Sequence, residues 1–129
     1  MSNTIDNCLY KSKYAELHLE HLYTVEENIT FSITVKSYEF YGKYNFCMHI
    51  SKIYEYIERL NFMNQSFSGE CKIMDSDSNS FICLMFEEQV LKVTGQLGGS
   101  YEDNFMKFSF LTDQTLIKLF IEALLKIDK

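Results

Sequence analysis

The side chains best suited to chemistry in this chain are its three histidines and four cysteines. His18 and His21 resemble a metal-binding pair, but on a strand residues three apart point to opposite faces and cannot easily share one ion. Cys47 and His49 are two apart, so a strand would place a thiol and a base on the same face. Neither an oxyanion site nor an orienting acid accompanies them. The residues therefore indicate no metal site and no catalytic group, and we expect a protein that is not an enzyme.

Two further motifs resemble binding loops without completing them. Gly95–Gly99 is rich in glycine, but it lacks a phosphate-binding lysine and a following helix, so it predicts a bulge or hairpin. Asp75 and Asp77 match the first two ligands of a calcium loop, yet the glycine and distal glutamate do not follow. The cysteines show no C-x-x-C spacing and are expected to be reduced, mostly buried thiols. We therefore predict no cofactor.

Length and composition predict one domain over residues 1–129. The chain is 47% hydrophobic, has no proline and has only five glycines, which favours a single core over two domains joined by a linker. Residues 1–13 are polar and are expected to be loosely ordered, with no apolar stretch of the length that a secretory signal needs. The longest apolar clusters are interrupted by Lys118 and Glu122 and are too short to span a membrane. We expect a soluble, cytoplasmic protein without a membrane partner.

The net charge of −6 is concentrated in the middle of the chain. Residues 67–104 contain seven acids and two bases, a balance of −5, and the acids fall mainly at expected turns. Such a surface repels nucleic acid and attracts a basic partner. The basic residues are too dispersed to form a nucleic-acid site.

Alternating and helical periodicities predict an α+β fold. Strands are expected over 15–23, 29–36 and 46–50, with the Thr30, Ser32, Thr34 and Lys36 face in solvent. A helix capped by Ser51 follows, then strands near 70–73, 81–86, 91–97 and 106–110, of which 81–86 is expected to be covered on both faces. Thr112 or Asp113 caps a final amphipathic helix. The predicted order is βββαββββα, a largely antiparallel sheet of about seven strands with both helices packed on one face.

Two sets of residues could recognise a partner. The first is the acidic set, whose turns could meet at the ends of the sheet: Asp75, Asp77, Glu87, Glu88, Glu102 and Asp103. The second is aromatic, a type enriched in interfaces, and surrounds an expected bend at residues 38–44: Tyr38, Phe40, Tyr41, Tyr44 and Tyr101. Solvated turns and core packing are the simpler interpretations of each set alone. Together they suit a basic protein partner.

Several short segments resemble the WapI family of bacterial immunity proteins, which are small cytoplasmic partners of toxins delivered between competing cells. The similarity spans roughly Leu17 to Ile127 and is carried by Tyr38–Phe40, Ser51, Phe67–Cys71, Val93–Leu97 and Asn104–Leu116. None of these segments is catalytic. The resemblance implies a non-enzymatic protein that binds a cognate toxin domain, and family toxins that act on transfer RNA imply a basic nuclease.

Two functions follow as hypotheses. The first is an immunity protein that neutralises a toxin by covering its active site or substrate surface. The alternative is a small ligand-binding or regulatory module that uses a pocket between helices and sheet, or the open polar face of the sheet. A hydrolase would require Cys47, His49 and a carboxylate to meet in a cleft.

Overall fold

A computed structural model of the chain describes residues 7–99 and 105–127. Four strands precede the first helix: β1 (Cys8–Lys11), β2 (Ala15–Val25), β3 (Asn28–Ser37), β4 (Phe40–His49) and α1 (Ile50–Ser66). The same order then repeats as β5 (Glu70–Met74), β6 (Phe81–Glu87), β7 (Val90–Leu97), β8 (Met106–Thr112) and α2 (Thr115–Ile127). The α+β class and the antiparallel pairing are confirmed.

The prediction of one seven-stranded sheet is wrong, because the eight described strands form two separate antiparallel sheets. Their orders are β1-β2-β3-β4 and β5-β6-β7-β8, so each strand pairs with its neighbour in the chain. The additional strand, β1, lies within the segment that was expected to be loosely ordered. The expected bend at residues 38–44 is confined to a turn at Tyr38 and Glu39, and Phe40 to Tyr44 belong to β4.

The inner faces of the two sheets share one hydrophobic core. Leu17, Phe31 and Phe46 of the first sheet and Ile82 and Val93 of the second are completely buried. At one border the ring of Tyr10 in β1 stacks on Phe110 in β8, with centroids 5.3 Å apart. At another, β4 approaches β8 so closely that a Cβ on Gly42 would lie 2.7 Å from Met106 Sδ.

The helices do not share one face of a sheet, which corrects a second expectation. Helix α1 packs against β4 of the first sheet, β5 of the second and α2, whereas α2 contacts α1 and β1. The buried stripe of α1 is Ile53, Ile57, Leu60 and Met63, as its spacing predicts. Each helix thus buries an apolar stripe, but α1 does so across both sheets.

The two helix caps gave different outcomes. At α2 the Thr115 N–H donates to Asp113 Oδ1 over 2.9 Å, which confirms Asp113 as a capping residue. At α1 the helix begins two residues earlier than predicted, because His49 is the N-cap and its Nδ1 accepts from the Ser51 N–H over 3.1 Å. Ser51 is therefore inside the helix. Of the two alternatives for Gly95–Gly99, the bulge is wrong, since Gly95 pairs regularly with Ile82 and Phe108. The hairpin agrees with the structure, since Gly98, with a φ of 96°, follows the end of β7 and leads towards its antiparallel partner β8.

The burial of two strands differs from what the alternation predicted: the polar face of β3 is more buried, and β6 is less buried. Thr30 and Ser32 were expected in solvent, but only 6% and 1% of their surfaces are exposed. They lie on the central strand β3 between longer side chains of β2 and β4, which cover them. Strand β6 was expected to be covered on both faces, but only one of its faces is fully buried, at Ile82 and Leu84.

Candidate binding surface

Four exposed aromatic side chains lie in the β1–β2 loop, in the β3–β4 turn and at the start of β4, where Phe40 and Tyr41 point to opposite faces of the strand. Tyr14, Tyr38, Phe40 and Tyr41 expose 53%, 64%, 72% and 68% of their surfaces, and we call this group the aromatic tip. The Tyr38 N–H donates to the Tyr14 carbonyl over 2.7 Å, and the two rings lie 5.3 Å apart. Exposed aromatics are common singly, whereas a cluster of them marks an interaction site. The aromatic tip is therefore a candidate binding surface.

The backbone of the aromatic tip is left-handed at one residue. Tyr38 has a φ of 57°, in the left-handed region that side chains other than glycine, asparagine and aspartate seldom adopt. A tyrosine there costs about 1 kcal/mol relative to a residue suited to that region. Ser37 and Phe40 pair across the turn and hold the strained residue in place. Two-residue hairpin turns require a positive φ, and Glu26 and Glu88 adopt the same conformation at the β2–β3 and β6–β7 turns, so this backbone follows from the hairpin.

The predicted aromatic residues have three different positions. Tyr41 belongs to the aromatic tip and faces outward beside Lys36. Tyr44 lies on the inner face of β4, opposite Ile33, and packs half-buried against the core. Tyr101 lies outside the described residues. Of the predicted aromatic set, Tyr38, Phe40 and Tyr41 are thus described on an exposed surface. Tyr14 was not predicted, because its contact with Tyr38 is made across 24 residues of chain.

Asp75 was predicted to contact a partner, but its carboxylate is used inside the protein. The side chain is 6% exposed, and Oδ1 accepts from the Cys47 N–H over 2.8 Å. Its other oxygen accepts from the Ser78 hydroxyl over 2.7 Å. The next residue, Ser76, donates its N–H to the Cys47 carbonyl over 3.0 Å. Asp75 therefore fixes the β5–β6 loop to β4 and has little surface to offer a partner.

The remaining acidic residues do not form one patch. Asp77 is exposed in the β5–β6 loop, and Glu87 and Glu88 are exposed in the β6–β7 turn. These connections are at opposite ends of β6, whose seven residues span about 20 Å. Glu102 and Asp103 lie outside the described residues. The exposed, described members of the acidic set are thus distributed over both ends of the second sheet.

The outer face of the first sheet forms a polar trough along β3. Its floor is made of the small residues Thr30, Ser32 and Thr34. Longer residues of β2 and β4 lie opposite them in register and form the walls: His18, Glu20, Lys43, Asn45 and Cys47. Tyr41 continues the β4 wall, opposite Lys36. Two cavities of about 610 and 300 Å³ open on this trough. On its β2 side, the hydrogen bond from His18 to Glu16, 3.1 Å long, lowers the pKa of the Glu16 carboxyl. The trough could hold a small polar ligand.

The candidate catalytic residues Cys47 and His49 contribute to the structure of the protein. His49 caps α1 and places Nε2 3.3 Å from Glu27, whereas Cys47 lines the larger trough cavity beside Asp75. No hydrogen bond joins Cys47 to His49 among the described residues. Burial raises the pKa of the Cys71 thiol to about 12, so it remains protonated and a poor nucleophile. This geometry does not bring together a thiol, a base and a carboxylate.

His18 and His21 line different cavities, as the strand geometry predicts. Within residues 7–99 and 105–127, no group of three histidine, cysteine, aspartate or glutamate side chains could hold a metal ion. No helix in the described parts of the chain is long and apolar enough to cross a membrane. The chain matches no family model, no curated protein and no solved structure.

Proposed function

We propose that this chain is a non-enzymatic immunity protein that binds and neutralises a cognate bacterial toxin domain. The observation that carries the proposal is the aromatic tip, where three side chains within four residues expose more than 60% of their surfaces. Aromatic residues supply a large share of binding energy at the centres of protein interfaces. The resemblance to the WapI immunity proteins includes the same Tyr38–Phe40 segment and supplies the class of partner.

The net charge supports a basic toxin domain, such as a nuclease, as the partner. It does so without requiring an acidic patch at the contact. A net charge of −6 on 129 residues attracts a basic surface over distances of about one Debye length, roughly 10 Å at 0.1 M salt. Neutralisation then follows from coverage of the toxin's active site or substrate surface. Association should be fast at low salt and slower as salt is added.

The test is a titration against the toxin domain encoded immediately upstream of the gene for this chain. The wild-type protein should bind with nanomolar affinity and abolish the toxin's activity at equal concentration. Phe40→Ala and Tyr41→Ala together should raise the Kd at least about 30-fold, because interface aromatics contribute about 2 kcal/mol or more. The matched control is Phe62→Ala, which removes a 55% exposed ring from α1.

Two results would contradict the proposal. One is the absence of any complex with the neighbouring toxin domain at micromolar concentration. The other is equal loss of affinity in Phe62→Ala and in the double variant, since the aromatic tip would then have no special role. Thermal unfolding of each variant separates a binding defect from a folding defect.

The polar trough favours a second function, that of a module binding a small polar ligand. Neighbouring side chains cover Ser32 and Thr30 on its floor, whereas His18 and Lys43 on its walls are accessible to a ligand. Native mass spectrometry of the freshly purified protein tests this alternative. A retained molecule that is lost after Lys43→Ala, with the fold intact, would favour it over the immunity function.

A further inference from the structure

The outer edge of β4 carries main-chain groups suited to pairing with another strand. Resting on the proposed function, we propose that the toxin domain adds an extended segment to this edge, with an acidic side chain of that segment opposite Lys43. Strand addition of this kind draws affinity from main-chain hydrogen bonds and specificity from alternate side chains. The aromatic tip lies at the start of the same strand.

The direction of the β4 main-chain groups follows from the contacts of Cys47. Its N–H donates to Asp75 and its carbonyl accepts from Ser76, so both groups point away from β3. Strands β3 and β4 pair without a bulge from Asn28 opposite His49 to Ser37 opposite Phe40. Because a strand repeats every two residues, the main-chain groups of Tyr41, Lys43 and Asn45 point in the same direction as those of Cys47.

Only the Cys47 end of this edge is paired within residues 7–99 and 105–127. Ser76 supplies a main-chain hydrogen bond there, and the Asp75 carboxylate supplies another. The N–H and carbonyl groups of Tyr41, Lys43 and Asn45 have no hydrogen-bond partner in the described residues. The β5–β6 loop therefore forms hydrogen bonds with this edge at Cys47 alone among the described residues. About six residues of the strand are left for a second chain. An unprotected strand edge of this length readily accepts another strand.

The charge on the edge selects a partner segment over a second copy of this chain. Lys43 is exposed at the middle of the unpaired stretch. Antiparallel pairing of two β4 edges about that point would place two lysine side chains directly opposite each other, which is unfavourable. An aspartate or glutamate in the same position of a partner strand would instead form an opposite-charge pair. Lys43 thus discourages self-association and favours an acidic residue in the added strand.

The side chains next to this edge describe the rest of the segment. Tyr41, Lys43 and Asn45 face the polar trough, so alternate residues of an added strand would be polar on that side. On the inner face the added strand would pass Gly42 and Tyr44, and Tyr44 packs against the core. An apolar residue of the partner would extend the core at that point. The expected segment therefore alternates an acidic or polar residue with an apolar one.

Hydrogen–deuterium exchange on the complex with the toxin domain tests the inference directly. The amides of Tyr41, Lys43 and Asn45 should exchange at least about tenfold more slowly in the complex, because each gains a main-chain acceptor. Lys43→Pro removes one of these N–H groups without affecting a bond to β3, and should raise the Kd at least about tenfold. Lys43→Glu should also weaken binding, whereas the exposed Lys118→Glu on α2 provides the same charge change away from the edge.

The outcomes separate this inference from the proposed function. A tight complex in which the three amides exchange as in the free protein would overturn the strand addition and leave the immunity function intact. If the toxin domain does not bind at all, the immunity function is wrong, and the edge is tested with an eight-residue peptide of alternating valine and glutamate. Chemical-shift changes confined to Tyr41–Asn45, absent with the valine–lysine peptide, would support the edge, and their absence with both peptides would refute it.

Discussion

The two ends of β4 differ in what holds their side chains. At the anchored end, Cys47 and His49 are joined to the β5–β6 loop and to the start of α1 by hydrogen bonds. At the free end, Phe40 and Tyr41 expose 72% and 68% of their surfaces beside a strained Tyr38. The same ten-residue strand therefore contains polar groups whose hydrogen bonds are made within the protein and aromatic rings that are left exposed to solvent.

This difference separates stability from recognition along one strand. Removing a buried, satisfied polar group leaves its partners unpaired, which lowers stability. Removing an exposed aromatic ring changes little in the folded state, because the ring already contacts water. Substitutions at the anchored end should thus affect unfolding, and those at the free end should affect binding.

The largest effect is expected for Asp75→Ala at the anchored end. Loss of the carboxylate leaves the Cys47 N–H and the Ser78 hydroxyl without their acceptor, and should lower the free energy of unfolding by about 2–4 kcal/mol. Urea denaturation monitored by circular dichroism measures this change. Asp77→Ala is the control, since an exposed neighbour should change stability by less than about 0.5 kcal/mol. Equal effects at the two positions would show that Asp75 does not anchor the loop.

A smaller effect is expected for His49→Ala, also at the anchored end. The substitution removes the N-cap of α1 and should cost about 1 kcal/mol, whereas asparagine at the same position should restore the cap. The control Lys52→Ala breaks only an exposed 3.6 Å contact with Glu55. If His49→Asn is as destabilising as His49→Ala, capping is not the contribution of this residue.

At the free end, Tyr38→Asn should change the free energy of unfolding by less than about 0.5 kcal/mol. Relief of the positive φ offsets the loss of the ring contact with Tyr14, because asparagine tolerates the left-handed region. Affinity for the toxin domain should nevertheless fall. A marked loss of stability would mean that the aromatic tip supports the fold.

The smallest effects concern charge, where Asp77 and Glu88 lie at opposite ends of the second sheet. Asp77→Lys and Glu88→Lys should each slow association with a basic partner by roughly two- to threefold at low salt, through the weaker long-range field. Stopped-flow measurements at two salt concentrations provide the comparison. A much larger effect at Asp77 would locate the contact near the anchored end of β4, and no effect at either would argue against a basic partner.

The local periodicities were sufficient to predict most of the individual elements. Alternation identified β2, β3 and β8, and the spacing of Ile53, Ile57 and Leu60 identified the buried stripe of α1. These features depend on residues a few positions apart, so the sequence contains all the information needed. The start of β4 was not predicted, because Gly42 and the surrounding aromatics are as typical of a bend as of a strand.

The candidate binding surface was only partly predictable, for a different reason. Aromatic composition indicated Tyr38, Phe40 and Tyr41, but alternation could not decide between core packing and exposure. Tyr14 belongs to this surface because its carbonyl accepts a hydrogen bond from Tyr38, a residue of another hairpin. Asp75 does not belong to this surface, because its carboxylate accepts a hydrogen bond from the N–H of Cys47, 28 residues away in the chain.

By itself, the sequence determined the α+β class, the antiparallel hairpins, the two amphipathic helices and a cap of α2 at Thr112 or Asp113, because each depends on side chains close together in the chain. Only the tertiary structure decided that the strands divide into two sheets, that Asp75 and Ser32 are buried, and that Phe40 remains in solvent. A periodic pattern shows which side of an element is apolar, but burial depends on which distant element covers that side.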